Sequence, residues 1–230
     1  MARSLPLNEK FTIMIKSENI KIIMVETTHP GNIGAAARAM KNMCLDNLVL
    51  VNPQCPVGQV AFARSSGAHA VLDQMQKFDT LKEAVAGDHL VFGTSARIRS
   101  MPMPFVSPEN ACKEILKRPE DTKVSIVFGR EHSGLTNEEM DCCHYALTIP
   151  TNEQFSSLNV ASAIQVVAYE LMKHNTFQNE AEEMELDAAP VGEVNALLEH
   201  LEKTLIDIDF LDPLNPKLLM KRLTQLSMRQ

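Results

Sequence analysis

Three stretches of the chain set glycines, hydroxyls, carboxamides and one charged side chain directly after a short apolar run. The first is Glu26-Thr-Thr-His-Pro-Gly-Asn-Ile-Gly-Ala-Ala-Ala-Arg38. Gly31 and Gly34 permit close backbone approach. Asn32 has the chemistry of a helix N-cap, and Ala35 to Ala37 leave room above the helix that follows. Arg38 is expected in the second turn, where its long side chain can reach back over the strand ends. The second stretch follows Val124–Phe128 with Gly129-Arg130-Glu131-His132-Ser133-Gly134-Leu135. Gly129 there suits a nucleoside packed on backbone, and Arg130 and Glu131 either pair with each other or hold substrate groups. The third is Ile149-Pro-Thr-Asn-Glu-Gln-Phe155-Ser156-Ser157-Leu158-Asn159, which runs straight into a long apolar-striped segment. Its hydroxyls and carboxamide at a helix start make a polar cup for a ligand's carboxylate or hydroxyls.

A fourth segment, Phe92-Gly-Thr94-Ser95-Ala96-Arg97-Ile98-Arg99, again leaves a strand through small residues and ends in two arginines. With Arg38, Arg64 and Arg130, these arginines could form a surface that contacts phosphates. Each segment also has a plainer account: a capped helix with an exposed arginine, a surface ion pair, helix capping by Ser156 or Ser157, and a solvated loop. No G-x-G-x-x-G occurs, so the dinucleotide fingerprint is missing. The Gly31-Asn-Ile-Gly34 tetrapeptide imitates the loop of a KH module, but its flanks do not support that fold.

The elements that must position these residues alternate between strand and helix. Ile20–Val25, Leu48–Val51, His89–Phe92, Val124–Phe128 and Tyr145–Ile149 are short aliphatic or β-branched runs bounded by turn residues. Thr80 with Glu83, and Thr136 with Glu139, fit capping boxes. Ser107 before Pro108 places an N-cap ahead of a first-turn proline. From about Leu158 to Lys173, Val160, Ile164, Val167, Ala168 and Leu171 share one helical face. This order predicts an α/β fold, a mostly parallel sheet flanked by helices, over residues 20–175. Ligands in such sheets collect beyond the carboxyl ends of the strands.

Outside that domain, residues 1–19 read as an N-terminal extension. Met14 heads Met-Ile-Lys just before the first strand, so residues 1–13 are expected to add nothing to the fold. Residues 176–192 read as an acidic linker, and 193–230 as a helical extension. One of its helices covers about Glu193–Ile208, and a second runs to about Leu226 beside Lys217, Lys221 and Arg222. So small a helix pair has too little core to stand comfortably alone.

Composition narrows the function classes. The 230 residues are 45% hydrophobic and 22% charged, ordinary for a globular chain. No apolar run approaches the ~20 residues of a membrane span, and the start lacks a secretory signal's apolar stretch, so a cytoplasmic location is expected. Five cysteines without C-x-x-C spacing, and scattered histidines, supply neither a disulfide framework nor a metal site. The net charge is −7. Residues 179–212, however, hold eleven acids and one base, leaving the remainder at +3 with 21 bases against 18 acids. The acidity is local, and a nucleic-acid partner stays open.

Taken together and in order, the segments resemble the three motifs of the SpoU branch of the SPOUT methyltransferases, and in particular members acting on tRNA. The likeness rests on Pro-Gly-Asn-Ile-Gly-Ala-Ala-Ala-Arg-Ala-Met, Phe-Gly-Arg-Glu-x-x-Gly-Leu-Thr-Asn-Glu-Glu and Ser-Ser-Leu-Asn. Gly-Thr-Ser-Ala-Arg and the tail Asp-Pro-Leu-Asn-Pro-Lys-Leu-Leu-Met-Lys-Arg-Leu narrow it further. The resemblance implies a trefoil knot in the C-terminal part of the sheet, a homodimer with its sites at the subunit interface, and S-adenosylmethionine as cofactor. It implies cofactor contacts at Thr94, Ser95, Ala96, Gly129, Ile149, Ser156, Ser157 and Leu158. It also implies a catalytic group of Asn32, Arg38, Glu131, Ser157 and Asn159, with Glu131 orienting Arg38, and no metal. The implied reaction is 2′-O-methylation of cytidine or uridine at nucleotide 32 of tRNA. Another tRNA nucleotide, ribosomal RNA, or a non-catalytic RNA-binding module on the same fold are the alternatives. A guanidinium keeps its proton in proteins, so Arg38 gripping a phosphate stands beside Arg38 as the group that activates the hydroxyl. Arg38, Arg64, Arg97, Arg99, Arg130, Lys217, Lys221 and Arg222 are the expected RNA contacts.

Overall fold

The computed structural model describes residues 15–96, 103–176, 189–212 and 218–227. The chain divides into two units, one ending at Gln178 and one beginning at Asn179.

The first unit is built on seven parallel strands: β1 (Ile20–Val25), β2 (Asn47–Val51), β3 (Gln76–Phe78), β4 (Leu90–Thr94), β5 (Phe105–Val106), β6 (Val124–Phe128) and β7 (Tyr145–Leu147). They lie in the order β3-β2-β1-β6-β4-β7-β5. Side chains alternate between two cores, as parallel strands buried on both faces require. Ile20, Ile22 and Met24 of β1, Leu48 and Leu50 of β2, and Val124, Ile126 and Phe128 of β6 enter one core. Ile23, Val25, Val49, Val51 and Val127 enter the other. Burying each such aliphatic side chain contributes ~1.5–3 kcal/mol.

Helices cover both faces. The larger core is roofed by α1 (Pro30–Asn42), α2 (Gln59–Ser65), α3 (His69–Asp73), α5 (Pro108–Leu116) and α7 (Val160–Thr176). Val160, Ile164, Val167, Ala168 and Leu171 of α7 all turn inward, the stripe expected from their spacing. The opposite core is closed by the short helices α4 (Leu81–Ala84) and α6 (Asn137–Met140). Both begin in complete capping boxes, Thr80 with Glu83 and Thr136 with Glu139. Ser107 caps α5 ahead of Pro108. Gly34 sits where α1 meets α2, and a Cβ there would strike the Ala61 carbonyl.

Several boundaries differ from the sequence reading. β4 is Leu90–Thr94 rather than His89–Phe92. Gly93 lies inside the strand because a Cβ there would meet Cys143 Sγ and Met140 Sδ, both at 2.8 Å. β7 stops at Leu147, so Thr148 and Ile149 already belong to the next loop. Asn32 is not the N-cap of α1: His29 is, its Nδ1 accepting from Gly31 N at 3.2 Å, with Pro30 in the first turn. Arg38 therefore falls in the third turn. Residues ahead of β1 also reach the core. Ile15 is 4% exposed within the larger core, and Lys16 pairs with Glu120 at 3.0 Å.

The second unit holds α8 (Val191–Asp207) and α9 (Leu219–Ser227), which contact each other. Leu198 is its most enclosed residue on α8. Residues 1–13 and most of the expected linker lie outside the described residues.

Candidate active site

Three chain segments, leaving β4, β6 and β7, enclose a cavity of about 600 Å³, within the usual 300–1,000 Å³ of small-molecule sites. Its walls include Thr94, Ser95 and Ala96 after β4, Gly129 after β6, and Ile149, Ser156, Ser157 and Leu158 after β7. All eight residues expected at a cofactor site thus line one space. Leu135, Met140, Leu147 and Val160 add apolar wall. Small residues and backbone on one side, with aliphatic side chains on the other, suit an adenine and its ribose.

Local hydrogen bonds fix these walls. Thr94 Oγ1 donates to the Val127 carbonyl at 2.9 Å, tying β4 to β6. Ser95 N donates to the Leu147 carbonyl at 2.9 Å. A Cβ on Gly129 would run into the Gly134–Leu135 peptide, so the turn after β6 closes tightly only around glycine. Gly134 adopts φ 69°, a left-handed conformation that favours glycine.

The polar end of the cavity is a chain of side chains. Glu131 Oε1 accepts from Thr27 Oγ1 at 2.7 Å and from Asn32 Nδ2 at 2.9 Å. Its Oε2 accepts from Thr28 N at 3.3 Å and Thr28 Oγ1 at 3.2 Å. Asn159 Nδ2 in turn donates to Asn32 Oδ1 at 3.1 Å, while Asn159 Oδ1 accepts from Ala161 N at 2.9 Å and so caps α7. The cap is therefore Asn159, and not Ser156 or Ser157. Burial alone would raise the Glu131 carboxyl. The Thr27 hydroxyl, the Asn32 carboxamide and nearby backbone N–H groups outweigh it and hold the group at about 2. Glu131 is an ionised fixture with both oxygens occupied.

Arg130 does not pair with Glu131. Its Nε reaches Glu26 Oε2 at 2.8 Å, and its Nη1 and Nη2 grip both oxygens of Glu139 at 2.9 and 3.0 Å. These partners, Glu139 foremost, raise its pKa further. This guanidinium is occupied by two carboxylates and its side chain is 19% exposed, while the residue lines the cavity. Arg38 stands exposed on α1 and lines no part of this cavity. Glu131 is bonded to Thr27, Thr28 and Asn32, so within one chain it does not orient Arg38 as expected.

The catalytic residues named from sequence are therefore divided. Glu131, Ser157 and Asn159 line the cavity, Asn32 joins it through both neighbours, and Arg38 stands apart. Arg64 is exposed on α2 against the start of α1, and a Cβ at Gly34 would press on its Cβ at 2.8 Å. Lys221 and Arg222 are exposed on α9. Arg97, Arg99 and Lys217 lie outside the described residues. The sequence reading missed Thr27 and Thr28, whose only signal was a pair of hydroxyls at the exit of β1. It also missed His132 and Ser133 at the cavity wall.

A parallel α/β sheet with a strand-end cavity closed by three glycine- and hydroxyl-bearing loops defines a nucleoside-binding class of protein. Comparison with known proteins places it within that class. Residues 19–169 match the SpoU rRNA methylase family, and the chain belongs to that family. Residues 192–230 match a second family, the C-terminal domain of the tRNA methyltransferase TrmJ. The tRNA (cytidine/uridine/adenosine-2′-O-)-methyltransferase TrmJ of Pseudomonas aeruginosa is 44% identical over 220 residues, covering 91% of this chain and 86% of its own. Among solved structures, a probable methylase family protein from Haemophilus influenzae superposes with a TM-score of 0.68 at 38% identity, covering 93% of this chain and 89% of the other. TrmJ from Z. mobilis gives 0.65 at 35% identity, covering 91% and 90%.

Proposed function

We propose that this protein is an S-adenosylmethionine-dependent tRNA 2′-O-methyltransferase that modifies the ribose of cytidine or uridine at nucleotide 32 of the anticodon loop. The observation that carries the reading is the meeting of the eight cofactor positions in one cavity, with the Asn159–Asn32–Glu131 chain along its polar end. The relatives' names supply the substrate class, and the C-terminal match supports tRNA over ribosomal RNA. The cytoplasm is then its place of work.

The cavity fits the cofactor in size and in lining. When bound, the cofactor supplies an electrophilic methyl group on a sulfonium. Gly129 and the 94–96 loop would hold the nucleoside portion through backbone, and Ile149 and Leu158 would flank the base. Glu131, Asn32 and Asn159 fix the loop before α7 to the start of α1, so the walls stay in register. Fixed geometry of this kind can contribute about 7–11 kcal/mol to a two-substrate reaction. Arg38 supplies a guanidinium to the ribose or its adjoining phosphate.

Arg38 is displaced from the cavity of its own chain, which supports a homodimer in which one protomer's Arg38 serves the other's cavity. Val166 and Tyr169, 38% and 48% exposed on α7, offer an apolar surface for that pairing. The trefoil knot belongs to the same reading. β7, the last strand in sequence, lies between β4 and β5, an interior place consistent with a threaded chain end. Residues 97–102, between β4 and β5, lie outside the described residues.

The test is incubation with unmodified tRNA and labelled S-adenosylmethionine, followed by nuclease digestion and mass spectrometry of the product. Methyl on the ribose of nucleotide 32 is the expected result. Methyl elsewhere selects another target, and no transfer to any tRNA overturns the reading. Trials of tRNAs with different bases at 32 measure the base range, which the Pseudomonas relative's name extends to adenosine.

A further inference from the structure

The Arg130 side chain makes four hydrogen bonds at the cavity, as many as Glu131, and the proposed chemistry does not use it. Its side chain is 19% exposed and spans two carboxylates from distant parts of the chain. Glu26, at the exit of β1, adopts φ 45°, a left-handed conformation that is costly for a residue with a Cβ, and from there it meets Nε. Backbone held in such a state is overdetermined by its surroundings. Glu139 serves two partners at once. It accepts from Thr136 N at 2.7 Å as the capping-box residue of α6 and receives the planar fork of Arg130.

The base of the same turn is also closed on itself. Arg130 N donates to the Gly134 carbonyl at 3.2 Å, and Gly134 N donates to the Arg130 carbonyl at 3.0 Å. Arg130 Nη1 reaches that Gly134 carbonyl as well, at 3.3 Å. The five-residue turn from 130 to 134 forms one cavity wall and carries Glu131. Its orientation is set where Arg130 leaves it.

The geometry points to Arg130 as a positioning residue for the cofactor: clamped by Glu26 and Glu139, it holds the 129–134 turn against the cavity and aims Glu131 at Thr27, Thr28 and Asn32. This rests on the proposed function and deepens it. A guanidinium is needed rather than a cation, because only a planar fork serves Glu139 bidentately while Nε serves Glu26.

Two variants test the clamp, with titration calorimetry of S-adenosylmethionine on the whole protein and steady-state kinetics on tRNA. Arg130→Lys keeps the charge and loses the fork. Glu139→Gln keeps an oxygen for the α6 cap and loses the carboxylate. Both are expected to weaken cofactor binding about tenfold or more. KM for the cofactor should rise in step, kcat at saturation should move far less, and KM for tRNA and its salt dependence should be unchanged. Variants that bind the cofactor like the wild type overturn the inference. So does a selective loss of tRNA affinity with a flatter salt slope, which would make Arg130 a phosphate contact. A fall in melting temperature with unaltered cofactor affinity in the folded fraction overturns it too, leaving a structural ion pair. Wild-type protein that binds no S-adenosylmethionine overturns the proposed function and this inference with it. Wild-type binding matched by both variants overturns this inference alone.

Discussion

Asn159 and Asn32 are 127 residues apart in sequence and share a 3.1 Å hydrogen bond, Asn159 donating through Nδ2. The other end of the Asn159 carboxamide caps α7, so one side chain joins the last helix of the domain to the first. Asn159→Asp separates the two duties. It keeps the oxygen that accepts from Ala161 N and loses the donor to Asn32. Thermal unfolding close to wild type with strongly reduced methyl transfer is expected. Asn159→Ala should in addition lose ~1 kcal/mol of stability through the missing cap.

The Glu131 carboxyl supports a pH prediction. It ionises at about 2 in the folded protein against an ordinary 4.5, so the unfolded chain binds its proton more readily than the folded one. The stability this group confers is complete above about pH 4.5 and drains away as the pH falls toward about 2. Urea midpoints measured across that acid range should fall less steeply in Glu131→Gln than in the wild type. The variant should also be less stable near neutrality.

Gly129→Ala tests the closeness of the turn after β6. The new methyl meets the Gly134–Leu135 peptide, which is backbone and cannot swing aside. Overpacking of this kind costs about 1–3 kcal/mol. Calorimetric unfolding should show the loss, accompanied by weaker cofactor binding.

Arg38 offers the reverse case. It is exposed and forms no hydrogen bond or ion pair with the described residues, so Arg38→Ala should leave the melting temperature nearly untouched. Single-turnover methyl transfer should nevertheless fall ~100-fold or more. Arg38→Lys distinguishes a point charge from a fork: partial activity fits the first and near-complete loss the second.

Lys221 and Arg222 on α9 carry the substrate prediction for the C-terminal unit. Replacing both with alanine should weaken tRNA binding uniformly across sequences. Each charge removed should reduce the slope of log affinity against log salt by about 1. Filter binding at several salt concentrations reads both effects.

The sequence made the long buried elements legible because their residues carry strong periodic signals. β1 and β6 run over the expected residues, and both capping boxes form as their spacing demands. The short edge strands were not legible. Gln76–Phe78 and Phe105–Val106 have three and two residues, too few for alternation to register. Gly93 looked like the end of a strand and is a point of close approach within one. The cavity walls followed from the resemblance, but the partners of charged groups did not. Arg130 beside Glu131 in sequence suggested a pair, whereas tertiary structure gives Arg130 the carboxylates of Glu26 and Glu139. His29 took the capping duty expected of Asn32 and so freed that carboxamide for Glu131 and Asn159.

The order β1-β6-β4-β7-β5 has a consequence for synthesis. β6, between β1 and β4, and β7, between β4 and β5, fill interior slots and are the last strands to leave the ribosome. A nascent chain that has emerged only as far as β5 holds β4 and β5 without any strand that pairs them, and β1 joined to β2 alone. A gap of this kind leaves unsatisfied edges exposed until residues 124–147 arrive. Completion by insertion, rather than by growth at a rim, makes folding slow and late, and truncated polypeptides of this protein should be prey for chaperones and proteases.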